Sequence, residues 1–186
     1  MQQDIERILI SRERIARRVH ELAEQIVADH SPSGEITLVP ILTGAIIFCA
    51  DLMRQMSLRM RIDLLTVSSY PGASIRTQGA QMLGKQLGDL HGRHVLLIDD
   101  ILDSGGTLKL VLPILQSMGP ASVKSCVLLR KDRAAARKVP VDYVGFEIPD
   151  EFVVGYGLDY DNYYRNLPDI VTLRRNILEG RPAGSP

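Results

Sequence analysis

The spacing of apolar residues changes several times along this chain, and each change marks an element. Ile15, Val19, Leu22 and Ile26 recur at helical intervals, the spacing of one buried helix face. A helix is therefore predicted from Ser11, a suitable N-cap, to about Asp29. Arg7 to Ile10 reads as a short strand ahead of it, and residues 30–35 as a turn. Ile36 to Leu42 is apolar almost throughout, as a strand buried on both faces must be. Thr43 and Gly44 interrupt it, and a helix is predicted from Ala45 to Met56. Arg61 to Ser69, His94 to Ile98, Ser122 to Leu129 and Val141 to Ile148 read as further strands, with a short one near Gln81 to Leu87. Helical spacing resumes after residues 103–107 and lasts to about Met118. Strands alternating with helices, several of them apolar throughout, predict an α/β fold: a mainly parallel twisted sheet flanked by helices. Ligands of such sheets bind beyond the carboxyl ends of the strands.

Two segments break the pattern. Tyr70 to Gly79 is rich in Gly, Ser, Thr and Pro without periodicity, and reads as a long mobile loop. Residues 179–186 read as a disordered tail, leaving residues 1–178 as one domain, the size that 186 residues allow.

Charge narrows the partners. Lys+Arg and Asp+Glu are both 22, so no global basic excess exists to hold a polyanion, which argues against a dedicated nucleic-acid binder. The basic cluster Arg130, Lys131, Arg133, Arg137 and Lys138 lacks interleaved aromatics and reads as a solvated face. Cys49 and Cys126 lie far apart in apolar runs, as buried free thiols of a reducing cytoplasm do. His91 and His94 flank a turn before a strand and read as incidental rather than metal-ligating. No signal peptide or bilayer-spanning run is evident, so a cytoplasmic location and no membrane partner are expected.

The segment VLLIDDILDSGGTL (Val95 to Leu108) carries the most chemistry. A buried strand delivers Asp99 and Asp100, then Asp103. Ser104, Gly105, Gly106 and Thr107 follow and lead into a helix. Glycines admit a phosphate close to backbone N–H groups, and a helix N-terminus favours the anion. The Gly-Lys-Ser/Thr ending of a Walker A loop is missing, as is a dinucleotide fingerprint. Physics alone leaves a solvated acidic turn open as the alternative.

The whole pattern resembles the PRPP-binding signature of the type I phosphoribosyltransferases. Three further segments resemble the hypoxanthine-guanine phosphoribosyltransferases: DYVGFEIPDEFVVGYGLDYDNYYRNLP (Asp142 to Pro168), LTVSSYPG (Leu65 to Gly72) and ILTGAIIFCADLMRQM (Ile41 to Met56). The resemblance covers nearly the whole chain, from about Ile5 to Leu173. The resemblance implies that family's fold, with a small hood formed by terminal segments. It implies transfer of the phosphoribosyl group of PRPP to N9 of hypoxanthine or guanine, with magnesium as the cofactor, in a homodimer or homotetramer.

It also implies roles by position. Residues 103–107 hold the 5-phosphate. Asp99 and Asp100 accept from the ribose hydroxyls and help to hold magnesium, and Asp159 binds a second ion. Thr43 and Gly44 form the backbone loop under the pyrophosphate, which Arg165 also meets. Lys131 donates to the purine O6, Phe152 stacks on the ring, and Val153 reads the base edge with its main chain. Asp103 is the general acid/base near N7, and Ser69 and Tyr70 begin the mobile loop. Many relatives carry Glu where this chain has Asp99, and some carry Lys where it has Thr43. Read without the family, Lys131 belongs to a solvated charge run, Phe152 to ordinary core, and Asp159 and Arg165 to a surface ion-pair region. Rival functions are a same-fold enzyme for xanthine or another base, an RNA-binding regulator and a plain sugar-phosphate-binding module.

Overall fold

A computed structural model of the chain describes residues 1–68 and 81–179. Ser69, Tyr70 and the rest of the predicted mobile loop lie outside the described residues, as do residues 180–186 of the predicted tail. The elements in chain order are β1 (Ile5–Ile10), α1 (Arg12–His30), β2 (Glu35–Leu42), α2 (Ile46–Met53), β3 (Arg59–Ile62), β4 (Leu64–Ser68) and β5 (Gln81–Gln86). They continue with β6 (His94–Leu102), α3 (Gly106–Ser117), β7 (Ser122–Lys131), α4 (Ala134–Arg137), β8 (Tyr143–Ile148), β9 (Ile170–Leu173) and α5 (Arg175–Glu179).

The central sheet runs β5-β4-β2-β6-β7-β8, with β3 also pairing β2. All its pairings are parallel except that of β4 with β5. Its inner strands β2, β6 and β7 are apolar on both faces because both are covered. Leu96 and Ile98 of β6 face the core built by Ile15, Val19, Leu22 and Ile26 of α1 and Phe48 and Leu52 of α2. Val95 and Leu97 face the other core, built on Leu108, Val111 and Leu115 of α3. This alternation is the period of a strand serving two layers.

The structure divides the strand predicted over Arg61 to Ser69. Asp63 separates β3 from β4, its backbone N–H bonding Leu38 O at 2.9 Å while its carboxylate accepts Gly88 N–H at 3.0 Å. β2 is therefore met by β3 over its first half and by β4 near its end. β6 extends past the predicted boundary to Leu102, so Asp99 and Asp100 lie within the strand and not after it.

A separate antiparallel pair joins the termini: β1 pairs β9, from Ile5 opposite Leu173 to Ile10 opposite Ile170. This is the hood. The hood also caps α1. Ser11 occupies the N-cap position without a side-chain capping bond, and Asp169 instead accepts the Arg12 N–H at 2.8 Å. An orphan donor at a helix start needs such an acceptor, whichever residue supplies it.

Candidate active site

The carboxyl ends of β2, β6 and β7 bring four segments together: residues 43–44, Asp99 to Thr107, Lys131 to Arg133, and the turns at 155–165. Gly44 touches Asp100 so closely that a Cβ at position 44 would lie 1.8 Å from Asp100 Oδ2. A Cβ at Gly157 would lie 2.2 Å from the Gly44 carbonyl oxygen. Bare backbone at both positions therefore lets residues 43–44, the acidic strand end and the 155–157 turn share one space.

Asp99 is buried. Burial, then the neighbouring Asp100 charge, push its carboxyl well above the ordinary range. Burial raises Asp100 too, opposed by hydrogen bonds from Asp99 and the Ile101 N–H and by the Arg165 charge. Asp99 Oδ1 accepts the Asp100 N–H at 3.1 Å, and Asp100 Oδ1 accepts the Ile101 N–H at 2.8 Å. Neither carboxylate has an ion-pair partner among the described residues. Two adjacent carboxylates, one buried and one half-buried, without a direct counter-charge suit a divalent cation with oxygen ligands.

The loop after β6 turns sharply at Gly105, whose φ is +82° and whose missing Cβ leaves room for Val139. α3 begins at Gly106 with no acidic residue in its first turn. Its first N–H groups, with the Ser104 and Thr107 hydroxyls beside them in sequence, form an end suited to a phosphate-class anion.

The turns at 155–165 hold Asp159 and Arg165 against each other. Arg165 Nη2 lies 2.7 Å from Asp159 Oδ1, and Arg165 Nη1 donates to Gly157 O at 2.7 Å. Asp159 Oδ2 also accepts the Asn162 N–H at 2.8 Å. Arg165 is thus tied to the turn that touches Gly44 and acts electrostatically on Asp100.

Lys131 is 7% exposed at the end of β7 and is not part of a solvated face. Its Nζ lies 3.4 Å from Asp103 Oδ2 and 3.7 Å from Asp150 Oδ1. Three arginines of the basic cluster around it are paired as well: Arg130 with Glu147, Arg133 with Asp103 and Asp150, and Arg137 with Asp132. Sequence reasoning missed Arg133 and Asp150; the charge alternation of RKDR was the available signal, and their partners lie far away in sequence.

Phe152 is not core. It is 44% exposed and meets Tyr160 edge to face at 5.5 Å, leaving a ring face available for a flat ligand. Val153 beside it is buried. The histidines are structural: His94 Nδ1 pairs with Ser122 Oγ at 2.8 Å, and His91 packs at Gly119. Among the described residues no helix is long and apolar enough to cross a membrane.

Comparison with known proteins places this arrangement. The family described as phosphoribosyl transferase domain matches residues 7–161. The chain is 42% identical over 182 residues to the hypoxanthine-guanine phosphoribosyltransferase of Mycobacterium tuberculosis, covering 95% of this chain and 90% of that one. It is 41% identical over 164 residues to the hypoxanthine phosphoribosyltransferase of Escherichia coli, covering 88% and 92%. The Trypanosoma cruzi hypoxanthine phosphoribosyltransferase, in a point mutant complexed with the product IMP, superposes with a TM-score of 0.88 at 36% identity over 98% of each chain. A hypoxanthine-guanine phosphoribosyltransferase from Bacillus anthracis, with HEPES in its active site, gives 0.84 at 37% identity over 91% of this chain and 99% of that one. With similarity of this extent over both sequence and fold, the chain belongs to the hypoxanthine-guanine phosphoribosyltransferases of the phosphoribosyl transferase family.

Proposed function

We infer that the chain transfers the 5-phosphoribosyl group of PRPP to N9 of hypoxanthine, guanine or both, giving IMP or GMP and pyrophosphate. The observation that carries the choice of base is the placement of a buried donor beside an acceptor: Lys131 Nζ lies 3.4 Å from Asp103 Oδ2. A 6-oxopurine presents the complementary pair on one edge, an acceptor at O6 next to N7. Lysine can only donate, and a carboxylate accepts.

The remaining residues divide the work along the substrate. Residues 103–107 and the start of α3 hold the 5-phosphate on backbone N–H groups and two hydroxyls. Asp99 and Asp100 take the ribose hydroxyls. Thr43 and Gly44 offer backbone to the pyrophosphate, and Arg165 neutralises the charge that grows on it as the C1–O bond breaks. Phe152 stacks on the purine while the main chain of Val153 meets its edge. Asp103 exchanges the proton at N7 as N9 bonds to C1. Asp99 and Asp100, with Asp159 for a second ion, are the groups suited to hold magnesium. When bound, magnesium supplies positive charge to the ribose and pyrophosphate oxygens. Residues 1–178 act as one catalytic unit in the cytoplasm, in a homodimer or homotetramer, without nucleic acid or membrane.

The decisive experiment incubates the protein with PRPP and each common nucleobase, with magnesium or with excess EDTA. IMP or GMP should form with magnesium and not with EDTA. Failure with both 6-oxopurines overturns the assignment, and full turnover in EDTA overturns the metal.

A further inference from the structure

Arg133 takes no part in the substrate contacts proposed for this site, yet it makes the best-formed contacts at its base end. Its Nη1 donates to Asp103 Oδ1 at 2.6 Å, and its Nε lies 2.5 Å from Asp150 Oδ2. Lys131 completes a ring of alternating charge through the other oxygens, Asp103 Oδ2 and Asp150 Oδ1. Three separate segments meet on this one guanidinium: the loop after β6, the end of β7, and the residues after β8 that lead to Phe152. The side chains of Arg133, Asp103 and Asp150 are 41%, 44% and 43% exposed. Water screens such pairs, so they contribute little to stability. What a planar fork supplies is direction, because two N–H groups at fixed angles fix the planes of the carboxylates they meet.

We propose that Arg133 is a positioning residue: braced by Asp150, it occupies Asp103 Oδ1 and so aims Oδ2, beside Lys131, at the purine edge. This role depends on Asp103 being the group that exchanges the N7 proton, as proposed above. Free of Arg133, the Asp103 carboxylate turns about its side-chain torsions, and Oδ2 spends only part of its time next to Lys131. The consequence falls on the chemical step. PRPP is held mainly by backbone and by other carboxylates, so its KM is spared. A lysine at 133 keeps the charge but offers a point donor in place of a fork, and recovers part of the loss.

Kinetics of Arg133→Met, Arg133→Lys, Asp150→Asn, Asp103→Asn and the double variant Arg133→Met/Asp103→Asn, with melting temperatures, test this. Arg133→Met should lower kcat about tenfold and change the KM for PRPP by less than about twofold. Arg133→Lys should lie between it and the unmodified protein, and Asp150→Asn should give a smaller loss of the same kind. In the Asp103→Asn background, Arg133→Met should cost nothing further, since residues acting through one group are not additive. Asp103→Asn impaired with Arg133→Met normal overturns the role of Arg133 alone. The same factor lost in both backgrounds, or a fall in melting temperature that accounts for the loss, shows a merely structural contact and overturns it too. Asp103→Asn at full kcat removes the reading of Asp103, and this inference with it.

Discussion

Gly44 and Asp100 are held in contact that no side chain could enter: a Cβ on residue 44 would sit 1.8 Å from Asp100 Oδ2 and 2.5 Å from its Cγ. The end of β2 and the acidic end of β6 are neighbours in a parallel sheet, and the glycine lets the carboxylate lie across the backbone that follows β2. Asp100 is thereby placed by a steric limit as much as by the Ile101 N–H that its carboxylate accepts.

Gly44→Ala must displace Asp100 or the loop. Misplacing a reacting group by about 1 Å costs about 10²-fold, so kcat/KM should fall by that order. Thermal unfolding should change little, since the methyl meets a site residue and not the core. Steady-state kinetics beside a melting curve check both parts. Normal kcat/KM in Gly44→Ala would mean that Asp100 is free to move and is not held for the substrate.

Lys131 predicts discrimination between bases. Adenine carries an amino donor where a 6-oxopurine carries an acceptor, and would leave the buried ammonium unpaired. Sites built around such a hydrogen bond reject the mismatched analogue by about 10⁴–10⁵-fold. Turnover with adenine should be near zero. Lys131→Met should reduce kcat/KM for hypoxanthine by at least about tenfold, since a hydrogen bond to a charged group contributes about 1.5–3 kcal/mol. Comparable rates with adenine and hypoxanthine would remove Lys131 from base recognition.

A second ionic cluster lies away from the site and predicts how stability depends on pH. Asp29 Oδ2 accepts from Lys124 Nζ at 2.7 Å and from the Tyr143 hydroxyl at 2.5 Å. The Lys124 and then the Tyr143 hydrogen bonds hold the Asp29 carboxyl below its ordinary value. A depressed carboxyl contributes stability that is present above its unfolded pKa and lost as pH falls through the folded one. Burial, followed by the Asp29 contact, pushes the Tyr143 hydroxyl up to about 12, while Asp29 raises Lys124. Raised groups of this kind contribute below their unfolded pKa, and that part is lost as pH rises through the folded value. Asp29→Asn should therefore be destabilised relative to the unmodified protein at neutral pH, with the gap closing in acid. Urea titrations at neutral and acid pH measure it, and a gap of constant size would contradict the linkage.

The cysteines should be silent in the folded enzyme. Cys49 is buried and its thiol is pushed up to about 11, while Cys126 is fully buried and raised further. The thiolate is the reactive species, so a thiol reagent at mildly alkaline pH should label neither until the chain is unfolded. Rapid labelling of two thiols per chain under native conditions would show that this core opens readily.

Much of the molecule is written locally. The period of Ile15, Val19, Leu22 and Ile26 marks α1, and all four are buried. The apolar runs of β2, β6 and β7 mark strands covered on both faces, and the segment from Asp99 to Thr107 marks a strand end followed by a glycine turn. These follow from neighbours in sequence, where periodicity and turn chemistry act. The tertiary structure alone decided the rest. β9 is four residues long, too short for a period to show, and its partner β1 lies at the opposite end of the chain. Read without the family, Lys131 looks like solvated surface and Phe152 like core, whereas the structure buries Lys131 and leaves Phe152 exposed. Burial depends on what the fold lays against a residue, and for Lys131 that is Asp103 and Asp150, supplied from separate turns of the chain. Composition placed a cation at position 131; only the packing of three strand ends withdrew it from water and set it 3.4 Å from a carboxylate oxygen.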